Sequence, residues 1–113
     1  TLEETSLDDA SYFGRIFART GGLSEAVKEG VKEQGVEDFE VKPIICDGIE
    51  ECKVALLKLK RNMLDGNFIE GMACQGGCIN GNGCLTHMVR SKVDVENYGK
   101  SSSKSSIEDA ISR

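Results

Sequence analysis

Between Glu70 and Cys84 the chain reads EGMACQGGCINGNGC, three cysteines and five glycines within fifteen residues. Cys74 and Cys78 are separated only by Gln75, Gly76 and Gly77, so one pliable turn can aim both sulfurs at a common centre. Thiolates suit zinc, or iron in a sulfur environment. The glycines suit such a centre as well. A backbone without Cβ approaches a bulky inorganic cluster closely and can point its N–H groups at sulfide, and hydrogen bonds of that kind tune a cluster's reduction potential. Cys84 and His87 extend the pattern to C-x3-C-x5-C-x2-H, four soft ligands of the types found in structural zinc sites. A simple electron-transfer iron–sulfur domain would have to recruit Cys46 or Cys52 instead, and doing so would break the elements assigned to them below. Cys46 and Cys52 read more simply as small buried hydrophobes, and Met63 as core filling. His87, the sole histidine, reads as a hydrogen-bonded surface residue ahead of a ligand.

Composition narrows what these residues can serve. At 113 residues, with a hydrophobic fraction of 39% and a charged fraction of 29%, the chain has material for one modest core. No run approaches the roughly 18 apolar residues of a membrane helix, and no signal-peptide pattern opens the chain. A cytoplasmic protein without membrane partners is expected. The net charge of −5 argues against nucleic-acid binding, which draws on Lys and Arg releasing counterions from phosphates. Five cysteines, an odd count without a secretory signal, disfavour a disulfide framework and favour ligation or catalysis. The start at Thr1, in a polar run without an initiator Met, suggests a piece of a longer protein or a trimmed expression product.

The elements that must position the cysteine loop can be placed in order. Ser6, three residues before Asp9, forms a loose capping box, and Phe13, Ile16 and Phe17 follow at helical spacing, so a first helix is expected over about residues 8–18. Gly21 and Gly22 break it. Leu23, Ala26, Val27, Gly30 and Val31 then draw one apolar stripe down a second helix that Gly35 ends. VEDFEVKPIICDG reads as a strand with Pro43 near a sheet edge. The next helix, after Gly48, carries Ile49, Cys52, Leu56, Leu59 and Met63 on one side, with Asp65-Gly66 as its close. NFIEGMA is a short second strand. Strand, helix, strand in this order favours a right-handed crossover and a parallel pair, which leaves the cysteines in the loop past a strand's C-terminal end, where open α/β sheets place their sites. The fold class is therefore α/β: two N-terminal helices, a β-α-β unit with parallel strands, and a cysteine loop after the last strand. Residues 1–90 form the body, and 91–113 read as a polar Ser-rich tail or linker, with Ser106 to Ile111 able to start a terminal helix.

EGMACQGGCINGNG resembles the third cluster-binding signature of the iron-only (FeFe) hydrogenases, in which a Glu, a Met two residues on, and two Cys flanking a short Gly-containing turn recur in that order. FGRIFARTGGLSEAV, from Phe13 to Val27, is similar to an upstream segment of the same lobe in that family, where Phe-Gly-type residues precede TGG and a helix. With KLKRNMLDGNFIEGMAC the similarity covers most of residues 8–90. It implies that Cys74 ligates the 4Fe-4S part of the H-cluster and that Cys78 ligates it too, its sulfur bridging to the di-iron unit. Gly76 and Gly77 would lie against the cofactor. Met72 would pack against the di-iron unit, which with Cys78 makes up the catalytic contribution of this chain, while Glu70 belongs to the motif without an assigned role.

The activity implied is reversible reduction of protons to dihydrogen by an anaerobic, cytoplasmic oxidoreductase served by an electron carrier such as ferredoxin. The family's other two cluster cysteines belong to signatures of the TSCCP and PCxxK kind, and neither string occurs in this chain. It therefore supplies at most half of the site and needs the remainder of the hydrogenase catalytic domain as its partner. Alone it is expected to carry no cofactor and to evolve no hydrogen. Where the best-known members continue into a Gly-rich run ending in Gln-Pro, this chain has INGNGCLTH, as in a divergent subgroup. The alternative from a different class is a small zinc-stabilised interaction module using Cys74, Cys78, Cys84 and His87.

Overall fold

A computed structural model describes residues 2–4 and 8–112. Two parallel strands, β1 (Pro43–Asp47) and β2 (Phe68–Met72), pair in register from Pro43 opposite Phe68 to Asp47 opposite Met72. Helix α3 (Ile49–Lys60) crosses between them, as the strand–helix–strand order requires. On the N-terminal side lie α1 (Tyr12–Arg15) and α2 (Gly22–Glu33), and β2 runs directly into the cysteine loop. The expected α/β class and the parallel pair are both present.

Helix α1 is a single turn, shorter than the expected 8–18. Ser6 lies outside the described residues, and the cap is Ser11, whose Oγ accepts from Gly14 N at 3.1 Å. Past Arg15 the chain tightens into successive turns, with Arg19 N donating to Ile16 O at 3.2 Å and Gly22 N to Arg19 O at 3.0 Å. Gly22 permits this, because a Cβ there would stand 1.9 Å from Ile16 O. Ile16, fully buried, anchors the turn. Helix α2 has the expected apolar stripe, with Ala26 buried, and Gly35 follows it at φ +68°, the left-handed stop glycine favours.

Helix α3 ends earlier than expected. Asn62, at φ +56°, takes the left-handed position that closes a helix, and Met63 N donates to Lys58 O at 2.8 Å. Gly66 lets the returning chain pass close to β1, since a Cβ on it would lie 2.4 Å from Lys42 O. The face of α3 against the sheet also differs from the expected stripe. Ala55 is buried and Cys52 half-buried, while Ile49, Leu56, Leu59 and Met63 are each about half exposed or more. Small residues at 52 and 55 let the helix sit close to the sheet, and packing distance outweighed the larger apolar side chains.

Residues 91–113, expected as a tail or linker, contribute to two further helices, α4 (Arg90–Lys100) and α5 (Ile107–Ile111). Helix α4 packs on α1 through Gly99, where a Cβ would come within 2.8 Å of Ile16 Cγ2 and 2.9 Å of Tyr12 Cδ2. The Arg15 guanidinium stacks 4.4 Å over the Tyr98 ring. Helix α5 is the short terminal helix anticipated after Ser106, whose Oγ accepts from Asp109 N at 3.1 Å. Its first amides, Ile107 N and Glu108 N, donate to the Glu33 carboxylate of α2 at 2.8 and 2.9 Å, which places a favourable negative charge at a helix start.

Candidate metal centre

The loop after β2 is built from successive tight turns. Gly77 N donates to Cys74 O at 3.0 Å, and Gly81 N to Cys78 O at 3.0 Å. Gly76 and Gly77 have φ of +85° and +90°, which side chains with a Cβ rarely adopt. Cys74 is half-buried, and Cys78, exposed, opens a short 3-10 turn, Cys78–Asn80. Gly81 lies against both cysteines: a Cβ on it would stand 3.2 Å from the Cys78 carbonyl and 3.7 Å from Cys74 Sγ. Met72 is the half-buried last residue of β2, and its carbonyl accepts from Gly48 N at 2.8 Å.

This loop is clamped from two sides. Asp47, at the C-terminal end of β1, accepts from Gly76 N at 2.7 Å and from Thr20 Oγ1 at 2.9 Å through one oxygen. Residues 18–20 lie alongside the loop: Ile79 N donates to Ala18 O at 3.2 Å, Thr20 N to Gly76 O at 3.1 Å, and Arg19 forms an antiparallel bridge with Gly77. The approach is so close that a Cβ on Gly77 would stand 2.6 Å from Ala18 O and 2.7 Å from Thr20 N.

Glu70, whose place in the motif had no role attached, is 2% exposed. Its carboxylate accepts from Gly21 N and Ser24 N, each at 3.1 Å, and from Ser24 Oγ. It therefore satisfies amides at the start of α2 that no residue within the helix can satisfy. The Thr20-Gly21-Gly22 segment and the Glu70 to Cys78 segment are thus two halves of one joint.

Behind that joint lies a charged network with no advance signal in the sequence. Arg19 is 6% exposed and donates from Nε to Glu96 of α4 and from Nη2 to Glu25 of α2, both at 2.9 Å. The Tyr12 hydroxyl donates to the other Glu96 oxygen at 2.5 Å. That bond, ahead of the Arg19 charge, holds the Glu96 carboxyl below its ordinary range, and it raises the Tyr12 phenol above its own. Burial alone would lower the Arg19 guanidinium, but Glu25 leads the groups that raise it above its ordinary value.

The other singled-out cysteines and His87 have partners of their own. Cys46 is buried, its thiol pushed up by burial and then by neighbouring Cys52 and Glu51, so the core reading holds for it. Cys84 donates to Cys78 O at 2.9 Å, and His87 Nε2 lies 2.9 Å from Gly81 O. Among the described residues no group of three or more His, Cys, Asp or Glu side chains is gathered for a metal. The four-ligand zinc arrangement of Cys74, Cys78, Cys84 and His87 is accordingly not assembled, because Cys84 and His87 are turned onto backbone carbonyls. Two thiols flanking a glycine turn, one half-buried and one exposed, have the donor chemistry of half of an iron–sulfur site. Among the described residues no helix is long and apolar enough to cross a membrane. Asp47 could have been found from its place at the end of a strand, whereas Arg19 and Glu96 had no such marker.

The model of the iron only hydrogenase large subunit, C-terminal domain, matches residues 1–82, a stretch that includes both the TGG segment and the Cys74 to Cys78 turn. Iron hydrogenase 1 of Clostridium pasteurianum is 33% identical over 111 residues, an alignment that covers 73% of this chain and 19% of that protein. The chain therefore spans about a fifth of the length of the curated relative it matches. With the family's model matched over most of its length, the chain belongs to the iron-only hydrogenases, as part of the C-terminal domain of their large subunit.

Proposed function

We propose that this chain supplies two thiolates, Cys74 and Cys78, to the H-cluster of an iron-only hydrogenase catalytic domain, and that the remainder of that domain supplies the rest of the ligands. The observation that carries the reading is the double clamp on the Cys74 to Cys78 turn, with Asp47 on one side and residues 18–20 on the other. A loop held this firmly has already lost the backbone freedom that ligation would otherwise have to remove. When bound, the cluster supplies the reversible reduction of protons to dihydrogen. The chain's own residues would hold it: Cys74 and Cys78 as anionic sulfur ligands, Gly76 and Gly77 as the turn that aims the two sulfurs, their Cβ positions taken up by Asn80 and residues 18–20, and Met72 as apolar packing that keeps water away.

The remainder of the domain is the expected partner, with an electron carrier such as ferredoxin serving the whole enzyme in the cytoplasm. The apolar flank of α3 supports the first of these. Val54, Leu56 and Leu57 are each more than half exposed, an arrangement that marks a surface meant to be covered.

The test is metal content of the full chain purified without oxygen, scored for zinc, iron and acid-labile sulfide, with hydrogen evolution assayed in parallel. Expected are no firmly held zinc, weak iron uptake lost in Cys74→Ser and Cys78→Ser but kept in Cys84→Ser and His87→Gln, and no hydrogen. One tightly held zinc per chain, lost when Cys84 or His87 is replaced, would overturn the proposal. Hydrogen evolved by the 113-residue chain alone would overturn the division of ligands.

A further inference from the structure

We propose that Arg19 is a positioning residue for the Cys74 to Cys78 turn, held in place by Glu96, so that helix α4 controls how well the two thiols are presented. The inference rests on the reading of those cysteines as ligands. Its starting point is the burial of Arg19, since a guanidinium at 6% exposure stays in the interior only if its donors are met. They are met from three directions: Glu96 on α4, Glu25 on α2, and the carbonyl of Thr20 at 3.3 Å from Nη1. The side chain thereby fixes its own backbone against two helices. That backbone is the strip which pairs with Gly77 and receives Ile79 N on Ala18 O.

The path from α4 to the ligands is short and made of direct contacts: Glu96 to Arg19, then Arg19 backbone to Gly77, the residue preceding Cys78. Helix α4 also packs against the Cys78–Asn80 turn itself. A charged pair that is largely desolvated is a strong fastener when both partners are present and costly when one is lost. Removing the charge of Glu96 leaves Arg19 with one carboxylate and loosens α4 at its Glu96 contact, while Gly99 and the Arg15–Tyr98 stack still hold its C-terminal part. The strip 18–20 then loses its backing, and the loop loses one of its two clamps while Asp47 keeps the other. Glu96 lies beyond residues 1–82, the part matched by the family's model, so the fastener is supplied from outside the recognisable motifs.

The experiment uses the full chain, reduced and free of oxygen, with Glu96→Gln as the main variant and Tyr12→Phe as a milder one that removes only the hydroxyl bonded to Glu96. Amide hydrogen exchange is read by mass spectrometry over residues 74–81, with the sheet, 43–47 and 68–72, as the internal reference. Glu96→Gln is expected to speed exchange in 74–81 by about tenfold or more, the size expected for a lost charge-assisted hydrogen bond, with the sheet within about twofold of wild type. Tyr12→Phe should give a smaller change of the same pattern.

Cadmium binding, followed by the sulfur-to-metal absorbance, adds a readout that simple loss of stability leaves alone. The wild-type affinity should vanish in Cys74→Ser and weaken about tenfold in Glu96→Gln. Unchanged exchange at 74–81 in both variants, equal acceleration of loop and sheet, or undiminished cadmium affinity once α4 has loosened would each overturn the role of Arg19. A Cys74→Ser, Cys78→Ser chain that binds cadmium as well as the wild type would instead count against the proposed function.

Discussion

Replacing Glu70 by Gln tests whether the joint between the TGG segment and the cysteine motif rests on one buried carboxylate. The carboxylate receives three hydrogen bonds, from Gly21 N, Ser24 N and Ser24 Oγ, at a position only 2% exposed. A glutamine keeps the shape and one acceptor, but its NH2 group faces a backbone donor where an oxygen stood. The loss is one charge-assisted hydrogen bond, about 1.5–3 kcal/mol, together with an amide left without a partner in the interior. An overall cost of about 2–3 kcal/mol follows, against a total stability on the order of 5–15 kcal/mol for a domain. In urea, where the slope for a small protein is about 1–3 kcal/mol per molar, the midpoint should fall by about 0.7–3 M. Ser24→Ala provides the scale, because it removes only the hydroxyl donor and should cost about 1 kcal/mol. The assay is urea unfolding followed by far-ultraviolet circular dichroism, with fluorescence of the two tyrosines as a second probe. A Glu70→Gln midpoint no lower than that of Ser24→Ala would refute the joint, since the carboxylate would then contribute no more than one neutral bond.

Gly77→Ala should cost about 2–4 kcal/mol, because φ +90°, ψ −166° is a conformation nearly reserved for glycine and the new Cβ would meet Ala18 O at 2.6 Å; a neutral urea midpoint would contradict the close approach. Acid should loosen α4 before the sheet. The folded carboxyl of Glu96 lies below its ordinary range, so its contribution is complete above the ordinary glutamate value of about 4.3 and disappears as pH falls through the lowered folded value. On the alkaline side Tyr12, raised by its bond to Glu96, keeps its contribution below the ordinary tyrosine value and loses it only as pH climbs through the raised one. Proton resonances of the Tyr12 and Tyr98 rings would report both steps, and an acid step that survives in Glu96→Gln would rule out this cause.

What the sequence made legible was whatever depends on local spacing. Gly35 after an apolar stripe, the strand–helix–strand order and the Cys-x3-Cys turn each announce themselves within a few residues, and each is where it was expected. Pairings across the chain were not legible. Glu70 meets residues 46 to 49 positions upstream, and Arg19 meets Glu96 across 77 positions. Nothing about an isolated glutamate in a polar helix marks it as the partner of a buried arginine. The same limit explains why residues 91–113 read as a tail: α4 docks through Gly99, the Arg15–Tyr98 stack and the bonds of Glu96 to Arg19 and Tyr12, and none of these adds hydrophobic periodicity. Helix α3 failed differently, because the side chains that decide its orientation, Cys52 and Ala55, are the smallest apolar ones on it.

That orientation bears on how the site is completed. With Cys52 and Ala55 turned to the sheet, Val54 and Leu57 point elsewhere, and the helix is apolar on more than one side. A shallow hollow of about 330 Å³ beside it is walled by Ile44, Ile45, Val54, Ala55 and Met63 and contains no cysteine. Exposed apolar side chains gathered on a helix mark a surface to be covered, and parallel strands are ordinarily covered on both faces, yet among the described residues β1 and β2 form a sheet of only two. Together with a match to only 19% of the relative's length, this surface fits a lobe whose outer layer comes from the rest of its domain. Covering it would also hold the C-terminal ends of β1 and β2 still, and those ends carry Asp47 and Met72 into the cysteine loop. Completing the fold and completing the ligand set would then be one event, with α3 as the seam on the sheet side and the Arg19–Glu96 pair as the fastener on the other.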